Sequence, residues 1–110
     1  MAVVTSLSRR TSKLHVGICK LTLHLSEASS LKEKRQVARS LTDRIRNRFN
    51  VAVAEVEDLD RRQRLTLGIS CVSNDRGHAD AMLSNLLDFV EQSRIDAEIV
   101  EVQTEIVGGV

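Results

Sequence analysis

Between residues 14 and 25 apolar and polar side chains alternate with period two. Cys19, Leu21, Leu23 and Leu25 fall on one side, and Lys20, Thr22 and His24 on the other. Successive side chains of an extended chain point to opposite faces, so this alternation predicts a strand with one face buried. The period then changes. Leu31, Ala38, Leu41, Ile45 and Phe49 recur at helical spacing, and Ser30 stands three residues before Glu33. That pairing reads as a capping box, in which each side chain satisfies the other residue's backbone N–H at a helix start. Asn50 follows, a residue that tolerates the left-handed conformation ending many helices. Residues 51–57 form a short valine-rich strand, 58–62 a polar turn, and 65–73 an alternating strand through Leu67, Ile69 and Cys71. Asn74 or Asp75 can cap a second helix, whose apolar face is Ala79, Met82, Leu83, Leu86, Phe89 and Val90. The last strand runs from about 98 to 107, with Val100, Val102 and Ile106 on one side, before a loose Gly108-Gly109 tail.

The order strand, helix, strand, strand, helix, strand with right-handed crossovers predicts a split β-α-β pair. The fold class is α+β, a ferredoxin-like sandwich with a four-stranded antiparallel sheet and both helices on one face. Residues 14–107 make this single domain, in keeping with a chain of 110 residues. Residues 1–13 mix Ser, Thr and Arg without periodicity and read as a flexible N-terminal extension. They lack the apolar stretch of a secretory signal, and no apolar run approaches the ~18 residues of a membrane span. Two cysteines without metal-ligand spacing, Cys19 and Cys71, fit a reducing compartment. We therefore expect a cytoplasmic protein. The two thiols sit on strands that should be neighbours, where they would face each other as small reduced hydrophobes.

A formal net charge of +1 conceals an uneven distribution. Residues 1–50 carry eleven Lys or Arg against three acids, a formal +8, and residues 51–110 carry five Arg against twelve acids, a formal −7. Most of the excess falls on the first helix. At ~100° per residue, Lys32, Arg35, Arg39 and Arg46 lie within a ~60° stripe beside the apolar face. The stripe runs for roughly 21 Å at 1.5 Å rise, a length that suits a track of successive phosphates. Lys34 and Arg44, with Arg48, flank the other side of the apolar face. The competing reading is a solvated face. Late-helix Arg44, Arg46 and Arg48 favour the helix dipole, and the acids of the second helix (Asp75, Asp80, Asp88, Glu91) neutralise part of the patch.

The run Ser30-Leu31-Lys32-Glu33-Lys34-Arg35, then Leu41, Arg44, Arg46, Phe49-Asn50-Val51 and Ala54-Glu55-Val56, resembles the YlxP-like family of small bacterial proteins of unknown function. Gln63-Arg64, Gly68 and Val72-Ser73-Asn74-Asp75 continue the resemblance in order, so that it covers about residues 15–106. The resemblance implies the ferredoxin-like fold. Genes of the family commonly lie beside those of translation initiation and ribosome-binding factors, which implies a role on the ribosome or its RNA. It supplies no catalytic residues. Family members usually begin at the first strand and often carry His at the position of Ser29 and Trp at that of Arg62.

These readings converge on a binding module whose partner is RNA or a ribosomal subunit, with Lys32, Lys34, Arg35, Arg39, Arg44 and Arg46 as the polyanion site. The alternative is a homo-oligomeric or protein-interaction module without a nucleic-acid role, pairing through the open sheet or an edge strand. Base stacking on the sheet is excluded. Its open face offers Lys20, Thr22, His24, Glu101, Gln103 and Glu105, with no Phe, Tyr or Trp to stack on. We expect no enzyme and no cofactor. His15, His24 and His78 are scattered, and phosphate-binding loops, dinucleotide fingerprints and nucleophile motifs are missing. Glu55, Glu57, Asp58 and Asp60 offer carboxylates to a hard cation but alternate across a strand and run into Arg61 and Arg62, which favours a solvated hairpin end.

Overall fold

The computed structural model describes residues 13–93 and 96–108. Six elements follow in the expected order: β1 (His15–His24), α1 (Leu31–Arg48), β2 (Ala52–Glu57), β3 (Arg64–Ser73), α2 (Arg76–Gln92) and β4 (Glu98–Gly108). The strands form one antiparallel sheet in the order β2-β3-β1-β4, which is the split β-α-β, ferredoxin-like arrangement. Residues 1–12, including Arg9 and Arg10 of the expected extension, lie outside the described residues.

Alternation on the two central strands builds the core. Cys19, Leu21 and Leu23 of β1 and Leu65, Leu67, Ile69 and Cys71 of β3 are buried with Leu41 and Ile45 of α1 and Leu83, Leu86 and Val90 of α2. Each such aliphatic side chain contributes about 1.5–3 kcal/mol when fully removed from water. A Cβ at Gly17 would lie 2.8 Å from Cys71 Sγ of β3 and 3.1 Å from Leu83 Cδ1 of α2, so a side chain there would crowd both the neighbouring strand and the helix.

The helix ends refine the expected caps. Ser30 Oγ accepts the Glu33 N–H at 3.1 Å, but the Glu33 carboxylate turns to the Ser29 N–H (2.9 Å) and Ser29 hydroxyl (2.8 Å) instead of to Ser30. The box thus closes one residue early. Those two bonds to Ser29 hold the Glu33 carboxyl below its usual value. Asp75 rather than Asn74 caps α2, its Oδ2 accepting the His78 N–H at 2.8 Å. α1 stops at Phe49 in extended backbone, φ −125°, and Asn50 is not left-handed. Among the described non-glycine residues the left-handed one is Asp58, φ 60°, in the turn between β2 and β3.

Thr22 lies on the open face, as alternation predicts, but is buried there opposite Thr66 of β3, the two hydroxyls 3.4 Å apart. Cys19 pairs with Ile69 and Cys71 with Gly17, so the thiols share a face but are offset by two residues. Both are free and buried, and burial pushes the Cys19 thiol up to about 11. At the sheet margin β4 is exposed along most of its length, including Val100, Val102 and Val107. No helix among the described residues is long and apolar enough to cross a membrane.

Candidate functional site

α1 delivers its cations to three different environments. Lys32, Arg35, Arg39 and Arg46 are exposed, and their spacing places them on one flank. Arg46 locates that flank, since its Nη2 donates to the Val53 carbonyl oxygen of β2 at 2.7 Å. Its Nη1 also lies 3.8 Å from Asp43. Among the described residues Lys32, Arg35 and Arg39 make no ion pair, so their charges remain open to solvent and to an anion. Ion pairing to α2 does not neutralise them, because no described ion pair joins the two helices.

Arg44 is exposed but stands about 140° around the helix from Arg39. It therefore belongs to the α2 side and does not extend the row. Arg48 is committed there too, its guanidinium 5.0 Å from the centroid of Phe89, which packs edge-on against Phe49.

Lys34 must be removed from the polyanion site. Its side chain is 1% exposed, with Nζ 2.8 Å from Glu55 Oε2 on β2. Nζ also donates to the Asp58 carbonyl oxygen. A buried ammonium is tolerable only when paired and hydrogen-bonded, and this one is both. The spacing did carry the signal. Lys34 precedes Ala38 by four and Leu41 by seven residues, which puts it in the middle of the apolar face.

Lys34 is one end of a polar chain that shapes the neighbouring turn. The Asp58 carbonyl also accepts the Arg61 N–H at 3.0 Å. Asp58 Oδ2 accepts the Thr66 hydroxyl at 2.8 Å and Arg64 Nε at 3.0 Å, while Arg61 Nη1 lies 3.9 Å from Oδ1. With Thr66 donating to Asp58, Thr22 supplies the proton in the Thr22–Thr66 contact. The Thr66 bond first, and then Arg64, hold the Asp58 carboxyl below its usual value. Of the four carboxylates weighed for a hard cation, Glu55 therefore serves Lys34, Asp58 serves Arg64, and Glu57 lies 3.1 Å from Lys20. No group of His, Cys, Asp and Glu among the described residues has metal-site geometry.

The turn faces the start of α1 across a cleft of about 790 Å³. One wall is the run Asp60 to Arg64, the other is Ser29, Ser30 and Leu31, and His24, Leu23 and Val100 complete it. Gln63 ties the walls together: its carbonyl accepts the Leu25 N–H at 2.9 Å and its Nε2 donates to the Ser26 carbonyl at 3.2 Å. Ser29 and Arg62 both line it. The open face of the sheet is different in kind. Register sets Lys20 beside Gln103 and Gly68, Thr22 beside Glu101, and Ile18 beside Glu105, and no Phe, Tyr or Trp stands there.

An open antiparallel sheet backed by two helices, with an exposed basic row on the first, defines a small ferredoxin-like α+β domain. The chain belongs to the family described as protein of unknown function (DUF503), whose pattern matches residues 16–104. It is 34% identical over 76 residues to the uncharacterized protein YlxP of Bacillus subtilis (strain 168), covering 69% of this chain and 83% of that relative.

Proposed function

We propose that this protein is a non-catalytic cytoplasmic module that associates with RNA or a ribosomal particle through phosphate contacts from the exposed flank of α1. The observation that carries this reading is the exposed row Lys32, Arg35 and Arg39, three cations without an ion-pair partner among the described residues, continued by Arg46. Free Lys and Arg side chains at near-one-turn steps gain affinity by displacing counterions from a phosphate backbone, without reading sequence. The open face of the sheet carries no Phe, Tyr or Trp to stack bases, so recognition rests on charge and shape. Co-sedimentation with purified ribosomal subunits at ~50 mM salt tests the proposal, because phosphate contacts are strongest there. Saturable association that disappears in a folded K32E/R35E/R39E variant is the expected result. Equal co-sedimentation of that variant contradicts the site.

A second reading has its own observation. Ile18, Val72 and Val107 are exposed, and the register puts Val72 and Val107 on either side of Val16 on the open face, next to the free β4 edge. Aliphatic patches beside an unpaired edge favour association with a second copy. Such pairing persists at high salt, whereas phosphate binding weakens. Sedimentation of the protein alone at ~50 mM and ~500 mM salt separates the two.

A further inference from the structure

The cleft between the β2–β3 turn and the start of α1 is a separate cationic site, and its arginines are held in a way that those of the α1 flank are not. Arg61 and Arg64 converge on the single carboxylate of Asp58, whose own position is fixed by Thr66 and by the left-handed turn. Arg62, between them in sequence, has no ion-pair partner among the described residues and lines the cleft. Asp58 and Glu101, the acids that touch Arg61 and Arg64, are not part of the cleft wall. The wall carries Arg61, Arg62 and Arg64 against Asp60, a formal +2 that the paired Asp58 and Glu101 reduce to zero, so Arg62 is the wall arginine without an ion-pair partner among the described residues. Below them Leu23, Leu31 and Val100 give an apolar floor. A volume of about 790 Å³ falls within the ~300–1,000 Å³ range of small-ligand sites.

We propose that this cleft binds a phosphate monoester carried on a body of nucleotide size. Arg62 supplies the cation that an incoming phosphate meets, and a monoester, with close to two negative charges at pH 7, is drawn to it more strongly than a diester with one. Planar guanidinium groups present paired N–H donors to phosphate oxygens, and Arg64, already held by Asp58 through its Nε, loses little freedom on binding. The apolar floor receives the body of the ligand. The phosphate has two sources, a free nucleotide or the 5′ end of an RNA chain. The site does not depend on the α1 flank, with which it shares none of the cations Lys32, Arg35, Arg39 and Arg46.

Calorimetric titration at ~50 mM salt uses three probes: adenosine 5′-monophosphate, a 5′-phosphorylated hexauridylate, and the same hexamer with a 5′-hydroxyl. Saturable binding of the mononucleotide, or binding of the phosphorylated hexamer about tenfold or more tighter than the hydroxyl form, supports the proposal. The first outcome identifies a free nucleotide and the second an RNA end. In R61A/R62A that binding should fall about tenfold or more while the melting midpoint stays close to wild type, since both side chains are exposed. K32E/R35E/R39E should retain mononucleotide binding even where it loses association with subunits, which keeps this proposal and the flank reading separately testable. Failure of the mononucleotide and phosphorylated hexamer to bind, equal binding of the two hexamers, or unchanged binding by R61A/R62A would each overturn it.

Discussion

The two basic regions near the start of α1 hold their charge in opposite ways. On the helix flank Lys32, Arg35 and Arg39 project without ion-pair partners among the described residues, free to follow whatever anion approaches. In the cleft Arg61 and Arg64 are drawn onto Asp58, which Thr66 in turn fixes. The first arrangement favours electrostatic, shape-tolerant contact along a backbone; the second favours one ligand in one geometry. Lys34 stands between them and shows why neighbouring cations on a helix can have unrelated roles. Arg35 reaches solvent, while Lys34, one position and ~100° away, passes inward to Glu55 and the Asp58 carbonyl.

The largest expected effect comes from breaking that buried link. Replacing Lys34 by Ala strands the Glu55 carboxylate, a lesion that costs about 3–5 kcal/mol when one partner of a buried pair is removed. Urea denaturation should register it. The double change K34M/E55L removes both charges and should recover most of the loss, because well-packed apolar replacements of buried pairs are often neutral. A K34A variant as stable as wild type would show that the pair does not hold α1 to the turn.

A smaller effect is expected from the cysteines. Cys19→Ala with Cys71→Ala should lower stability by about 1 kcal/mol per site, the scale of one buried methylene, and leave binding intact. In the native protein Cys19, with its thiol raised to about 11, should resist iodoacetamide at pH 8, whereas the unfolded chain should react readily. Rapid native alkylation of Cys19 would contradict the burial.

The turn can be probed by acid. Asp58 has a folded-state value below its ordinary 3.8, so its contribution is present above that ordinary value and lost as pH falls through the folded one. Thr66→Val removes the leading cause and should move the Asp58 titration upward toward 3.8, read from its carboxyl carbon by NMR. An unmoved titration would mean that Arg64 rather than Thr66 sets the carboxylate, and that the anchoring described for the cleft is wrong in its order.

The six elements were legible because two periods dominate the chain: alternation on Cys19, Leu21 and Leu23, and helical recurrence through Ala38, Leu41 and Ile45. The burial of Thr22 on the open face escaped that logic, since its neighbour Thr66 stands 44 residues away and no local period reports it. Lys34 was misplaced for another reason: residue type outweighed a spacing that already set it among Ala38 and Leu41. The row Lys32, Arg35, Arg39 and Arg46 could be read from helical geometry, but not the anchoring of Arg46 to Val53. The cleft was not legible at all, since its walls come from residues 23–24, 29–31, 60–64 and 100 and meet only once the sheet is formed.

The salt dependence of RNA binding by wild type and K32E/R35E/R39E tests the central claim most directly. Four phosphate contacts on a single strand give a slope of about −3 for log K against log salt. Wild type should show that slope, and the folded triple variant should bind about tenfold or more weakly with a flatter one. Identical slopes and affinities for the two folded proteins would contradict the assignment of phosphate binding to the exposed flank of α1.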